Sequence, residues 1–307
     1  MSKRMIELVI CTYNNASLLD RTLECLSRQT ASPDGWSVLV VDNNCTDETP
    51  EVVERYRSDG GIPGLRRVVE TQQGLTPAKL CGVRNTRSEW IAFVDDDCFL
   101  REDWVENALR FAASHPHCGA FGGRNVLSWE VPPSALLIRY ESAYAQQDHG
   151  PEPRLLKDGG LLAGAGMVVH REALERSGWL EVQMLSGRLG KKLVSGEDEE
   201  LVIRLRKAGY ALGYTPDCVL HHFIPQRRIS ETYLIDLLYE FGIARSRLTR
   251  LVLHESRLVA GIAYWSRVLK WTGIVLTGRA KAVLGVISRN ESLAYASFLR
   301  GLLAARP

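Results

Sequence analysis

The chain has 307 residues, 45% hydrophobic and 24% charged, without low-complexity tracts or repeats; this excludes a disordered or fibrous protein and leaves room for a sizeable core. Its net charge of +2 conceals an asymmetry: from Gln226 onward 13 Lys and Arg face 5 Asp and Glu, whereas the preceding residues carry 25 against 31. Seven cysteines stand singly, with no Cys-x-x-Cys pair, which argues against a secreted disulfide framework or a structural zinc site and for reduced thiols in a cytosolic protein.

Residues 1–5 carry Lys3 and Arg4, but the apolar run behind them breaks at Cys11-Thr12-Tyr13-Asn14-Asn15, so no signal peptide is expected. Within that run, residues 6–10 read as a strand. Residues 17–28 follow as a helix with Leu18, Leu19, Leu23 and Leu26 on one side. A strand at 38–41 leads through the polar turn Asn43-Asn44-Cys45-Thr46-Asp47 into a helix at 49–56. A short strand at 67–69, a helix at 76–84 and a strand at 91–94 complete an alternating pattern, which predicts an α/β sheet with parallel strands. From 116 to 225 the pattern is less regular, with strands at 121–123 and 164–170 and a helix at 197–208; from 229 the chain reads as helical. The expected organisation is an α/β domain over 1–228, regular at 1–115 and less so at 116–228, followed by a basic helical region over 229–307.

The polar groups fall at the ends of the strands: Thr12-Tyr13-Asn14-Asn15, Asp42-Asn43-Asn44 and Asp95-Asp96-Asp97. Parallel neighbours would bring them to one sheet edge, where α/β folds place their sites. Three successive carboxylates repel one another unless a cation binds among them, and oxygen ligands suit Mg²⁺ or Mn²⁺. A solvated acidic turn capping the next helix is the bland alternative. No Gly-x-Gly-x-x-Gly and no Gly-Lys-Ser/Thr loop is present, which disfavours dehydrogenases and phosphate-loop ATPases.

Taken together, Thr12-Tyr13-Asn14, Val41-Asp42-Asn43-Asn44, Gln73-Gly74-Leu75 and Phe93-Val94-Asp95-Asp96-Asp97 resemble glycosyltransferase family 2. Gly164-Ala165-Gly166, Gly196-Glu197-Asp198 and His222-Phe223-Ile224-Pro225 extend the resemblance, which covers about residues 5–245 in the family's order and spacing. It implies a GT-A fold: a Rossmann-like, mostly parallel central sheet flanked by helices, forming a catalytic domain over 1–228 with a nucleotide half at about 1–115 and an acceptor half at about 116–228, here with a helical C-terminal tail. It also implies an inverting transfer from a nucleoside diphosphate sugar, UDP being the commonest base, to a hydroxyl of a glycan or polyprenyl-linked acceptor in cell-surface polysaccharide or glycolipid synthesis. Position by position, Thr12, Tyr13, Asn15 and Asp42 would line the nucleoside pocket, with Asp96 near the ribose. Asp95 and Asp97 would form the metal-binding Asp-x-Asp, with His222 beside the metal or diphosphate. Lys79 stands where the family often has Arg, keeping the cation for phosphate but not the bidentate fork.

Asp198, with Glu197, would serve as catalytic base, since the incoming hydroxyl must lose a proton. A single base opposite the leaving group predicts inversion, through an oxocarbenium-like transition state. Ser195-Gly196-Glu197-Asp198 also reads as a plain helix start. His221 and His222 follow a strand-like run at 217–220 and should point to opposite faces, leaving one of them for the site. Tyr144 and Trp179 could stack on a sugar, but core packing explains them as well.

Residues 258–277 could span a bilayer by length, yet Arg267 and Lys270 sit in the middle, three apart and on one helical face. With Arg245, Arg247, Arg250, Arg257, Arg279 and Lys281 they fit helices lying beside anionic lipid at the inner, cytoplasmic face of a membrane. Ordinary helical packing or a homodimer is the alternative. A nucleotidyltransferase would open with a glycine-rich basic loop after the first strand, and a nucleic-acid or membrane adaptor would leave the carboxylates unexplained, so no nucleic-acid partner is expected.

Overall fold

Short runs of Val, Ile and Leu between polar turns form the strands, because branched side chains fill a surface covered on both faces. The computed structural model describes residues 5–157, 160–188, 193–253 and 257–305; Lys3, Arg4 and the side chains of Arg250 and Arg257 lie outside the described residues. In chain order come β1 (Ile6–Thr12), α1 (Ala16–Ser27), β2 (Trp36–Asp42), α2 (Thr49–Asp59), β3 (Arg66–Val69), α3 (Leu75–Asn85), β4 (Trp90–Asp95), β5 (Cys98–Leu100), α4 (Trp104–Ser114) and β6 (Cys118–Trp129). Then follow α5 (Ala135–Arg139), β7 (Arg154–Leu155), β8 (Met167–His170), α6 (Arg171–Arg176), α7 (Glu197–Lys207), β9 (Ala211–Ile224), α8 (Glu231–Leu253), α9 (Arg257–Val283) and α10 (Arg289–Ala304).

The strands form one sheet in the order β3-β2-β1-β4-β8-β6-β9-β5, with β7 added on β9. The pairs β3–β2, β2–β1 and β1–β4 are parallel, while β4–β8, β8–β6, β9–β5 and β7–β9 are antiparallel. Every residue of β2 is buried, as a central strand between two helical layers must be. Leu19, Leu23 and Leu26 of α1 pack with Ile6, Leu8, Ile10, Val38 and Val40 in one core cluster. None of the seven cysteines is in a disulfide.

Two compact units divide the chain. The first joins Met1–Ser128, Ala145–Val182 and Arg204–Phe223 and holds most of the sheet. The second joins Trp129–Tyr144, Gln183–Ile203 and Ile224–Pro307. In the second unit α8 and α10 cross at two glycines: a Cβ on Gly301 would lie 2.0 Å from the Tyr239 carbonyl oxygen, and one on Gly242 would lie 2.3 Å from that of Phe298. Along α9, Tyr264 donates to the Leu302 carbonyl, and Trp271 packs on Phe298 with ring centroids 4.2 Å apart.

Arg267 does not share the exposed face of Lys270. Its Nη1 donates to Thr249 Oγ1 of α8 at 2.6 Å, whereas Lys270 faces solvent. Among the described residues, no helix is long and apolar enough to cross a membrane.

Candidate active site

Strand register places the site. Thr12 lies opposite Asp42 across β1–β2, and Cys11 opposite Asp95 across β1–β4, so three strands deliver their polar ends to one edge. The loops leaving that edge are tied to one another by short polar side chains. Asn14, at φ +48°, accepts from the Thr46 amide at 2.7 Å. Asp47 accepts from the Ala16 amide at 2.9 Å and from Thr49 Oγ1 at 2.7 Å, so one carboxylate serves the starts of α1 and α2. Buried Asn43 fills all four hydrogen-bonding positions of its amide: Nδ2 donates to the Glu70 and Gln72 carbonyls, and Oδ1 accepts from the Gly74 amide and Gln73 Nε2.

The three aspartates split into two roles. Asp96 turns toward β1, where Thr12 Oγ1 donates to Oδ2 at 2.7 Å and Asn15 Nδ2 to Oδ1 at 2.8 Å. Thr22 Oγ1 fixes the same turn by donating to the Asp96 carbonyl at 2.9 Å. Asp95 and Asp97 gather instead with His222 and Cys98, whose candidate ligand atoms all lie within 4.8 Å of one another. His222 Nε2 is 3.4 Å from Asp97 Oδ1. The pairing of β5 with β9 decides between the two histidines: Cys98 is in register with His222, which is buried, and Phe99 with His221, which is exposed.

Crowding shows in the protonation of the cluster. Burial, and after it the Asp97 charge, pushes the Asp96 carboxyl up to about 7 against the two donated hydrogen bonds. Burial first, then the Asp95 and Asp97 charges, hold the Cys98 thiol well above its usual value. Two carboxylates and an imidazole, with the Cys98 sulfur beside them, are the atoms that could hold a cation here. That set fits a hard or borderline divalent ion such as Mg²⁺ or Mn²⁺, whose charge offsets the repulsion among the acids.

The remaining expected residues fall around this edge or apart from it. Tyr13 is 45% exposed at the loop surface. Asp42 is buried, accepting from the Cys45 amide at 2.8 Å and from Arg67 Nη1 at 2.6 Å. Lys79 is buried on α3, with Nζ 5.5 Å from the Phe93 ring centroid. Glu197 and Asp198 belong to the second unit, in the first turn of α7 with Glu199 and Glu200, where carboxylates complement the helix dipole. That turn is fastened within its unit: Glu200, fully buried, accepts from the Met184 and Leu185 amides at 2.9 Å, and Glu199 pairs with Arg245 of α8. Trp179 is buried, and Tyr144 packs against Trp129 and Tyr233 and donates to the Arg228 carbonyl, so both do structural work.

Sequence reasoning quoted Asn43 and Asp47 within the turn after the second strand but gave neither a role, and it did not name Cys98 at the site. A buried Asn directly after a strand was the available signal for the first. Nothing local marks the other two.

A parallel half-sheet whose carboxyl edge carries an acidic, histidine-containing cluster and no glycine-rich phosphate loop agrees with the GT-A fold that the sequence resemblance implies. The family model for glycosyl transferase family 2 matches residues 7–178, and the chain belongs to that family. Glycosyltransferase AglE of Haloferax volcanii is 24% identical over 261 residues, covering 85% of this chain and 79% of AglE. Succinoglycan biosynthesis protein ExoM of Rhizobium meliloti is 22% identical over 271 residues, covering 84% and 79%. Among solved structures, mannosyltransferase PcManGT of Pyrobaculum calidifontis, in complex with GDP-Man and Mn²⁺, superposes with TM-score 0.62 at 19% identity over 99% of this chain and 87% of that one.

Proposed function

We propose that this glycosyltransferase is metal-dependent and inverting, and moves a sugar from a UDP-sugar to a hydroxyl of a glycan or polyprenyl-linked acceptor. We place the reaction at the inner, cytoplasmic face of a membrane, in the synthesis of a cell-surface polysaccharide or glycolipid. The observation that carries this reading is the division of the aspartates: Asp96 anchored by Thr12 and Asn15, with Asp95 and Asp97 gathered beside His222. The Mn²⁺ and nucleotide sugar bound by the P. calidifontis enzyme support the metal and the class of donor, and the name of ExoM supports polysaccharide synthesis; the choice of UDP rests on the family resemblance.

Asp95, Asp97 and His222 would hold the divalent ion, which when bound supplies positive charge for a departing diphosphate. Thr12, Tyr13, Asn15 and Asp42 are assigned to the nucleoside and Lys79 to phosphate charge. Asp96 keeps lone pairs beyond its two accepted bonds, enough to take a ribose hydroxyl. Asp198 is assigned as the base that removes the acceptor proton, with Glu197 beside it. Having one base predicts inversion.

Differential scanning fluorimetry with UDP, GDP and dTDP, each with and without Mn²⁺, tests the donor site. A ligand present at about 100 times its Kd stabilises the native state by about 2.7 kcal/mol. UDP should raise the melting temperature only with Mn²⁺, and Asp97→Ala should abolish that increment. If none of the three nucleotides gives a metal-dependent shift, the reading fails. Pyrophosphate release from a nucleoside triphosphate and a sugar phosphate would favour a nucleotidyltransferase instead.

A further inference from the structure

α9 carries two opposed apolar faces, and the fold uses only one. Tyr264, Val268 and Val275 are buried on the inner face, with Trp271 packed on Phe298 of α10. On the other side Leu258 is 72% exposed, Ile262 62%, Trp265 51%, Leu269 71%, Leu276 61% and Val283 87%. Steps of three, four and seven residues put these six in one stripe along the helix, about 38 Å long at 1.5 Å per residue. Single exposed apolar residues need no explanation, but a continuous stripe of this size marks a docking surface.

Charge identifies what docks. Between Glu255 and Glu291 the sequence holds no acidic residue and six basic ones: Arg257, Arg267, Lys270, Arg279, Lys281 and Arg289. Arg267 is turned against α8, but Lys270, Arg279 and Lys281 are exposed, Lys270 and Lys281 on one flank of the stripe and Arg279 on the other. A second copy of the chain, meeting this face about a two-fold axis, would set like charges against like. An anionic lipid surface accepts both features: acyl chains take the Leu and Ile side chains, headgroup phosphates take the Lys and Arg, and Trp265 suits the boundary between them.

We propose that the exposed stripe of α9 is a membrane-docking face that lies in the interface of a bilayer rich in anionic phospholipid. This makes the membrane-side part of the proposed function specific to one surface. Vesicle binding reads it without measuring transfer, so either idea can fail while the other stands.

The test is flotation of the full chain with phosphatidylcholine vesicles, with and without phosphatidylglycerol, at low and high salt. Binding should favour the anionic vesicles by on the order of tenfold or more and weaken with salt. Ile262→Asp with Leu269→Asp should lower the partition coefficient about a hundredfold, and Lys270→Glu with Lys281→Glu about tenfold. Both pairs lie on the solvent side, so circular dichroism should show the parent fold. The neutral variant Leu269→Ser, expected to weaken binding about tenfold, gives the same reading if the charged pair misfolds. Tryptophan emission should shift to the blue on anionic vesicles in the parent and not in Trp265→Phe. Equal binding to both vesicle types, no binding to either, or unchanged binding by the stripe variants would overturn the proposal. So would a dimer, seen by light scattering, that the stripe variants dissociate.

Discussion

Asn43 offers a quantitative probe of how the strand-end loops are held. Its amide sits 3.0 and 2.8 Å from the Glu70 and Gln72 carbonyls and receives the Gly74 amide at 2.8 Å. Asn43→Ala removes those three backbone contacts and the one to Gln73, whose side chain can turn to solvent. A net hydrogen bond is worth about 0.5–1.5 kcal/mol, and a buried group left without a partner costs about 1–3 kcal/mol. With some water entering the vacated space, the loss should be about 2–4 kcal/mol. Urea unfolding followed by tryptophan emission suits the measurement, because Trp36, Trp90, Trp104 and Trp179 are all buried in the same unit as Asn43. For an m-value of about 2 kcal/mol/M, the midpoint should fall by about 1–2 M without a change in slope. Asn43→Asp sharpens the argument. Its ionised carboxylate would face two carbonyl oxygens, so its folded pKa would rise above the unfolded one, and its stability should be best at acid pH and fall as the pH rises through the folded value. If the alanine variant unfolded within about 0.2 M of the parent, with the same slope, the loops would owe little to this amide.

Other substitutions probe separate links. Thr12→Val removes the hydroxyl that donates to Asp96 while keeping the side-chain volume, and should weaken Mn²⁺-dependent UDP binding about tenfold by calorimetry, as expected for one lost hydrogen bond of about 1.5 kcal/mol. Glu200→Gln turns an amide NH₂ toward two backbone amides that now share a carboxylate, and should cost about 2–3 kcal/mol in denaturant unfolding. Gly301→Val drives a Cβ into the Tyr239 carbonyl and should destabilise the α8–α10 pair by about 3 kcal/mol or more, seen as an early loss of helical circular dichroism on heating.

Much of the first half of the fold was legible because its strands and helices announce themselves by different periods. The strand expected at 6–10 runs as Ile6–Thr12, and the helix expected at 17–28 as Ala16–Ser27. Asp95-Asp96-Asp97 stood out because three successive acids after an apolar strand repel one another, which a plain capping turn explains less well than a bound cation does. Elsewhere tertiary pairing overrode local signals. β5 is three residues long, too short for a period, and exists because the end of β9 pairs with it. β9 runs for 14 residues through Gly213 and Pro216, residues that punctuate a sequence, since different parts of it serve β7 and β5. The strand expected at 164–170 begins only at Met167: Gly166 has φ +76°, and a Cβ there would lie 2.4 Å from Leu220. Arg267 misled for a related reason. Spacing of three puts it near Lys270 on a helical wheel, but a bare spacing rule cannot show which side of a long helix meets its neighbour.

The division of the aspartates follows from backbone geometry as much as from charge. β4 ends at Asp95 and β5 begins at Cys98, so Asp96 and Asp97 form the link between a parallel and an antiparallel strand. Three adjacent side chains on such a turn cannot converge on one point, and one of them must leave the cluster. Asp96 leaves toward β1, where the strand end supplies a hydroxyl and the loop an amide to receive it. Its two neighbours are thereby fixed, because the Thr22 hydroxyl on the Asp96 carbonyl and the Phe223 amide on the Asp97 carbonyl hold the turn from both sides. The middle acid thus acts as the hinge pin of the motif. Its two hydrogen-bond donors, 81 and 84 residues earlier in the chain, bear on where the flanking carboxylates stand as directly as the acids themselves do.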